Sequence, residues 1–332
     1  MRATHVISAI SACLLVFGGT TACSDVSARV EPEREIAAGS VTPTFTPDEG
    51  HTALHRRHHS PQPLPMSDSL VRKIVNGFAM YNYYDRPSRD TLRFNLFSPR
   101  PVEPGRIYPI VLFIADGSTV GLPRREPVRR SLGALAWADP DFQRRNPCYV
   151  LVPQFSDMAV NGKWQVSSEV NMTVRMLRSV LQNWQIDESR VYVTGQSMGG
   201  MVAMYLASEY PDLFAASLFV ACDWDPASYQ RLVNIPFVYI AAAGDRKSCE
   251  GQNALLKALT GKGVRSVSSE WSVSLSQAMQ DTLATQLLDH GEKHFFITLE
   301  GVAPDPHHDT FTKAYALTPV LDWVMTQHTL GF

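Results

Sequence analysis

The residues best suited to chemistry stand together in Gly195-Gln196-Ser197-Met198-Gly199, a G-x-S-x-G segment. The apolar, β-branched run Val191-Tyr192-Val193-Thr194 leads into it, and Met201-Val202-Ala203-Met204 leads out in a helical pattern. A serine between strand and helix sits in a turn so sharp that its hydroxyl projects above the sheet, and bulk beside it would forbid the turn. Gly195 and Gly199 remove that bulk. The start of the helix directs free backbone N–H groups at the same point, which makes the Met198 N–H the expected first donor to a developing oxyanion. The chemistry implied is attack of a serine oxygen on a carbonyl carbon. The bland alternative for the same residues is a glycine-rich turn holding an ordinary serine.

Such a serine needs buried strands and covering helices. Phe78 to Tyr83 and Thr91 to Phe97 read as an antiparallel opening pair joined by the turn-forming Asp85-Arg86-Pro87-Ser88. Ile110 to Ala115 is almost wholly apolar, as expected of a central strand covered on both faces, and Tyr149–Val152, Arg190–Thr194, Ala216–Ala221, Phe237–Ala242 and Phe295–Leu299 continue the series. Helical patterns occupy Ser167–Trp184, Met198–Tyr210, Gln252–Leu259, Ser276–Leu288 and Thr310–Gln327. The order, β-rich first and then βα repeated, predicts an α/β fold with helices on both faces of the sheet.

The chain has 332 residues, enough for one large domain plus a tail. Lys and Arg number 30 against 32 Asp and Glu, so no overall field favours nucleic acid or an anionic surface. Arg2 precedes a short apolar run through Ile7, Leu14, Leu15 and Phe17, which reads as an export signal rather than a membrane span. From Ser24 to about Pro65 the composition is that of a tether, and His51, His55, His58 and His59 there read as solvated residues rather than a metal site. The expected division is therefore 1–22 signal, 23–69 tether and 70–332 folded domain. Of 5 cysteines, Cys148, Cys222 and Cys249 fall in that domain. A bridge between Cys222 and Cys249 and reduced, buried thiols are the two readings. No C-x-x-C or other metal-ligand spacing is present, and no cofactor is expected.

With strand, G-x-S-x-G and helix in place, the region from about Phe78 to Trp323 resembles the α/β-hydrolase family. Within it the likeness is to esterases and predicted peptidases related to polyhydroxybutyrate depolymerases, feruloyl esterases and prolyl oligopeptidases. The resemblance implies a mostly parallel sheet with an antiparallel N-terminal edge, and a chain order of Ser, then acid, then His. Asp245, three residues after the buried strand Phe237–Ala242, fits the acid, with Asp223 and Asp225 as alternatives. Pro306-His307-His308-Asp309-Thr310-Phe311 resembles the family's H-x-S/T-aromatic segment, which aligns the base on His308 and leaves His307 as the alternative. His290 and His294 read as surface residues, and His328 as part of the terminal helix.

The second oxyanion donor in relatives follows the first central strand in an H-G-x-G segment. Here that place reads Ala115-Asp116-Gly117-Ser118, so a donor from Asp116 or Gly117 is expected, with the Asp116 carboxylate turned away or paired to Arg124 or Arg125. Gln154, Trp164, Trp224 and Tyr229 fall on loops at the same rim, either as substrate contacts or as packing. Thr20-Thr21-Ala22-Cys23 resembles the lipobox of bacterial lipoproteins, with Thr20 where Leu is usual, which implies lipidation of Cys23 and attachment to the cell envelope. Ordinary secretion is the other outcome. The expected activity is hydrolysis of a small-molecule or oligosaccharide ester. A peptidase of the prolyl-oligopeptidase type, or a non-catalytic surface protein keeping the fold as a binding module, are the other readings.

Overall fold

The structure, a computed structural model, describes residues 41–43 and 66–329. The strands are β1 (Val41–Pro43), β2 (Phe78–Asp85), β3 (Asp90–Phe97), β4 (Tyr108–Ile114), β5 (Tyr149–Gln154), β6 (Ile186–Gln196), β7 (Ala216–Val220), β8 (Phe237–Ala242), β9 (Val267–Ser272) and β10 (His294–Glu300). The helices are α1 (Asp68–Val75), α2 (Glu126–Arg129), α3 (Leu132–Trp137), α4 (Pro140–Arg145), α5 (Ser168–Asn183), α6 (Met198–Glu209), α7 (Arg246–Thr260), α8 (Gln277–Leu288), α9 (Pro306–Tyr315) and α10 (Thr318–Thr326). The strands form one sheet in the order β1-β2-β3-β5-β4-β6-β7-β8-β10-β9. Antiparallel pairing is confined to the β1, β2 and β3 edge and its junction with β5, and every pair beyond is parallel. This is the expected α/β-hydrolase architecture.

The two-residue period of β4 shows how the layers form. Ile110, Leu112 and Ile114 face one core with residues of α5, α6 and α7, while Val111 and Phe113 face the other with residues of α1, α3, α8, α9 and α10. Both faces are therefore covered, which explains strands without polar alternation. The turn after β2 forms as its residues dictate, with the Asp85 carboxylate accepting the Ser88 N–H at 3.0 Å and gripping Arg175 of α5 at 2.6 Å. Register then aligns the strand ends. Ile114 lies beside Gly195, Gln196 beside Val220, and Ala242 beside Leu299, so the loops that follow β4, β6, β7, β8 and β10 leave one rim together.

Several expectations are corrected. The predicted helix 310–327 is two helices, because Pro319 lacks an N–H and restrains the residue before it; α9 ends at Tyr315 and α10 begins at Thr318. His328 lies beyond α10. His294 is not a surface residue: it opens β10 at 1% exposure, paired in register with Phe237, whose ring centre lies 4.8 Å away. Of the two readings of Cys222 and Cys249, free thiols are the one found: Cys222 lies under Gly200 while the Cys249 thiol donates to the Ala242 carbonyl at 3.0 Å. Within the predicted tether, Val41–Pro43 pairs antiparallel with β2. The signal, Cys23 and the His51–His59 group lie outside the described residues.

Candidate active site

Ser197 sits at φ 52°, ψ −122°, a left-handed backbone that a side chain other than glycine adopts only under compulsion. The compulsion comes from three glycines. A Cβ at Gly195 would lie 2.3 Å from the Gly199 carbonyl oxygen, one at Gly199 would lie 2.0 Å from the Ile114 carbonyl oxygen, and one at Gly200 would meet Cys222 Sγ at 2.6 Å. The turn is thus wedged between β4 and the loop after β7, and the Ser197 N–H donates to the Val220 carbonyl at 3.0 Å. Gly200 was not singled out from the sequence, although its place directly after the motif could have flagged the close approach.

Asp245 caps α7. Its carboxylate accepts the Ser248 hydroxyl at 2.5 Å and the Ser248 N–H at 3.3 Å, and its Oδ2 lies 2.6 Å from His307 Nδ1. Burial opposes the charge, but the bonds from His307 and Ser248 outweigh it and bring the Asp245 carboxyl down to about 2. An ionised carboxylate only accepts, so the bridging proton is on Nδ1, and in the neutral imidazole Nε2 is then the acceptor. His307 Nε2 lies 2.8 Å from Ser197 Oγ.

Of the two adjacent histidines it is His307, the alternative in sequence, and not His308 that lies against Ser197. Asp305 is the N-cap of α9 and Pro306 its first residue, which puts His307 and His308 at successive positions pointing about 100° apart around the helix. The His308 ring folds back to its own cap, 2.7 Å from Asp305 Oδ2, and only His307 reaches over the sheet to Ser197. The Asp-Pro pair is an N-cap signal that could have fixed this phase. Asp223 lies nearby but pairs with Lys247 at 3.2 Å, and burial raises its carboxyl above the usual range. Asp225 caps the turn after it by accepting the Ala227 N–H at 3.0 Å.

The Met198 N–H opens α6 and has no intrahelical acceptor. Beside it, Asp116 caps the short turn Gly117–Thr119, and Gly117 packs so that an added Cβ would be 3.8 Å from Met198 Cβ. The Asp116 carboxylate turns back to the Ser118 N–H at 3.0 Å and to the Gln196 amide at 3.3 Å; Arg124 and Arg125 reach Asn82 and the Val75 carbonyl. Of the rim residues, Gln154 donates to the Leu122 carbonyl and Tyr229 accepts from the Trp224 N–H at 3.4 Å, so both are packing. Trp164, at φ 61°, meets the edge of Trp224 at 5.5 Å and lies under Lys247 at 5.7 Å. Met158, unforeseen from the sequence, is 42% exposed directly above Gly117.

Residues 140–281 match the family described as "Putative esterase". A 40-residue segment is 48% identical to an acetylxylan esterase of Coprinopsis cinerea, covering 12% of this chain and 11% of that protein. A 94-residue segment is 29% identical to acetylxylan esterase A of Aspergillus ficuum, covering 23% of this chain and 31% of that protein. The chain thus spans under a third of the length of these curated relatives. Among solved structures it is similar to a thermostable esterase, with a TM-score of 0.62 at 23% identity over 77% of this chain and 64% of the other.

Proposed function

We propose, taking as premise that this chain has the α/β-hydrolase fold, that it cleaves carboxylic esters through an acyl-enzyme on Ser197, with His307 as base and Asp245 as the orienting acid. The observation that carries the reading is the continuous relay of 2.6 Å and 2.8 Å contacts from Asp245 through His307 to a serine held in a strained turn. His307 Nε2 takes the Ser197 proton as Oγ attacks the carbonyl carbon, then returns it to the departing alcohol; water repeats the sequence and frees the acid. Asp245 keeps the Nδ1–H in place and stabilises the imidazolium without taking its proton. The oxyanion is held by the Met198 N–H together with an N–H from Asp116 or Gly117.

The substrate proposed is a short acyl ester of a carbohydrate, supported by the acetylxylan esterases among the relatives and by the aromatic rim at Trp164. Ester is favoured over peptide by the same relatives. Against a purely binding role stands the direction of the Asp116 carboxylate, whose partners are Ser118 and Gln196. Export and lipidation at Cys23 complete the reading, and Cys23→Ser should abolish incorporation of labelled fatty acid.

The test is labelling with a fluorophosphonate probe. Wild-type protein should be labelled and should hydrolyse p-nitrophenyl acetate, and Ser197→Ala should lose both. Faster turnover of peptide anilides than of acyl esters would replace the esterase reading with a peptidase one, and an unlabelled wild type would end the proposal.

A further inference from the structure

Asp116 is an acidic side chain in an unfavourable place, one residue from a proposed oxyanion donor and only 5% exposed. Its bonds account for it. Oδ2 accepts the Ser118 N–H at 3.0 Å, which fixes the Gly117–Thr119 turn, and the Asp116 carbonyl closes that turn by accepting the Thr119 N–H at 3.2 Å and hydroxyl at 2.9 Å. Oδ1 reaches the other way, accepting the Gln196 side-chain amide at 3.3 Å. Gln196 is 2% exposed and immediately precedes the serine, and its Oε1 has no partner among the described residues. One carboxylate thus spans two turns that leave neighbouring strands, β4 and β6, and that carry the two N–H groups proposed to face the oxyanion.

We propose that Asp116 is a positioning residue which, through Ser118 and Gln196, holds the N–H groups of the Gly117 turn and of Met198 convergent on one point; this rests on the ester-hydrolase reading above. Both carboxylate oxygens are engaged away from that point, so the negative charge is kept off the developing oxyanion. A loosened donor weakens only the transition state, where charge has built up on the carbonyl oxygen, and leaves the bound ester unaffected.

The test is kinetics on p-nitrophenyl acetate and inactivation by a fluorophosphonate, whose tetrahedral adduct puts an oxygen in the same position. Asp116→Ala should lower kcat about 10- to 100-fold with KM within about twofold, somewhat less than outright loss of an oxyanion donor, and should slow inactivation by the same factor. Asp116→Asn should recover activity to within about threefold of wild type, because its amide oxygen still accepts the Ser118 N–H while its NH₂ can donate to the unused Gln196 Oε1. Gln196→Ala cuts only the crossing bond and should reproduce part of the kcat loss, non-additively with Asp116→Ala; it serves the same purpose if Asp116→Ala does not fold. Unchanged kcat in a folded Asp116→Ala or Gln196→Ala protein, a change in KM alone, or an Asn variant as slow as Ala would overturn the clamp while leaving the esterase reading intact. A wild type without esterase activity would overturn both.

Discussion

At the scale of single residues, two adjacent histidines have opposite fates. His307 faces Ser197 and Asp245, whereas His308 turns to the cap of its own helix. His307→Ala is therefore expected to lower kcat/KM about 10⁴-fold or more, as loss of one member of a three-part unit does, and His308→Ala to remain within about threefold. Assays of the two purified variants on the same ester decide the matter, and the reverse order would move the proposed role of base from His307 to His308. The sequence made the type and neighbourhood of this group legible but not its phase. A family-like spacing cannot tell which of two neighbouring positions looks inward when the first turn of a helix rotates each residue by about 100°. The positions of Ser197 and Asp245, the proposed nucleophile and acid, were easier to place because each follows an unmistakable apolar strand, Ser197 directly after β6 and Asp245 three residues beyond β8.

Between elements, the decisive contacts are those of backbone with backbone. The close approach of α6 to the ends of β4 and β7 leaves no room at Gly199 or Gly200. Gly199→Ala places a methyl 2.0 Å from the Ile114 carbonyl oxygen, which no side-chain movement relieves. Loss of stability of about 3 kcal/mol or more is expected there, at the upper end of overpacking effects, and urea unfolding would measure it. An Ala variant as stable as the wild type would mean that the strand and helix are not so tightly joined. Buried parallel strands were legible through their continuous apolar runs. The edge strand β9, reading Val-Ser-Ser-Glu-Trp-Ser, and the short helices α2, α3 and α4 were not, because an edge strand needs little apolar surface and a one- or two-turn helix shows no full period.

Over the whole molecule, the far end of the sheet carries a titratable group with no part in the proposed chemistry. His294 is held below its usual range chiefly by burial against β8. Its neutral form is the one that fits, so its contribution to stability is intact above about pH 6.5, where the unfolded residue is also neutral, and is lost progressively as pH falls below that value. Wild-type melting temperature should decline between pH 7 and pH 5 more steeply than that of His294→Phe, with parallel curves counting against the assignment. The proposed reaction centre bears on stability in the opposite sense. A side chain at position 197 occupies φ 52°, so the protein holds its proposed nucleophile cocked at a thermodynamic cost borne by the entire fold. Two inert proteins reveal it: Ser197→Gly releases about 1 to 3 kcal/mol of that tension, less about 1 kcal/mol for glycine's extra freedom when unfolded, while Ser197→Ala retains it. The glycine protein should outlast the alanine one on heating, although the two are equally inert, which would separate the tension of the turn from the loss of the hydroxyl.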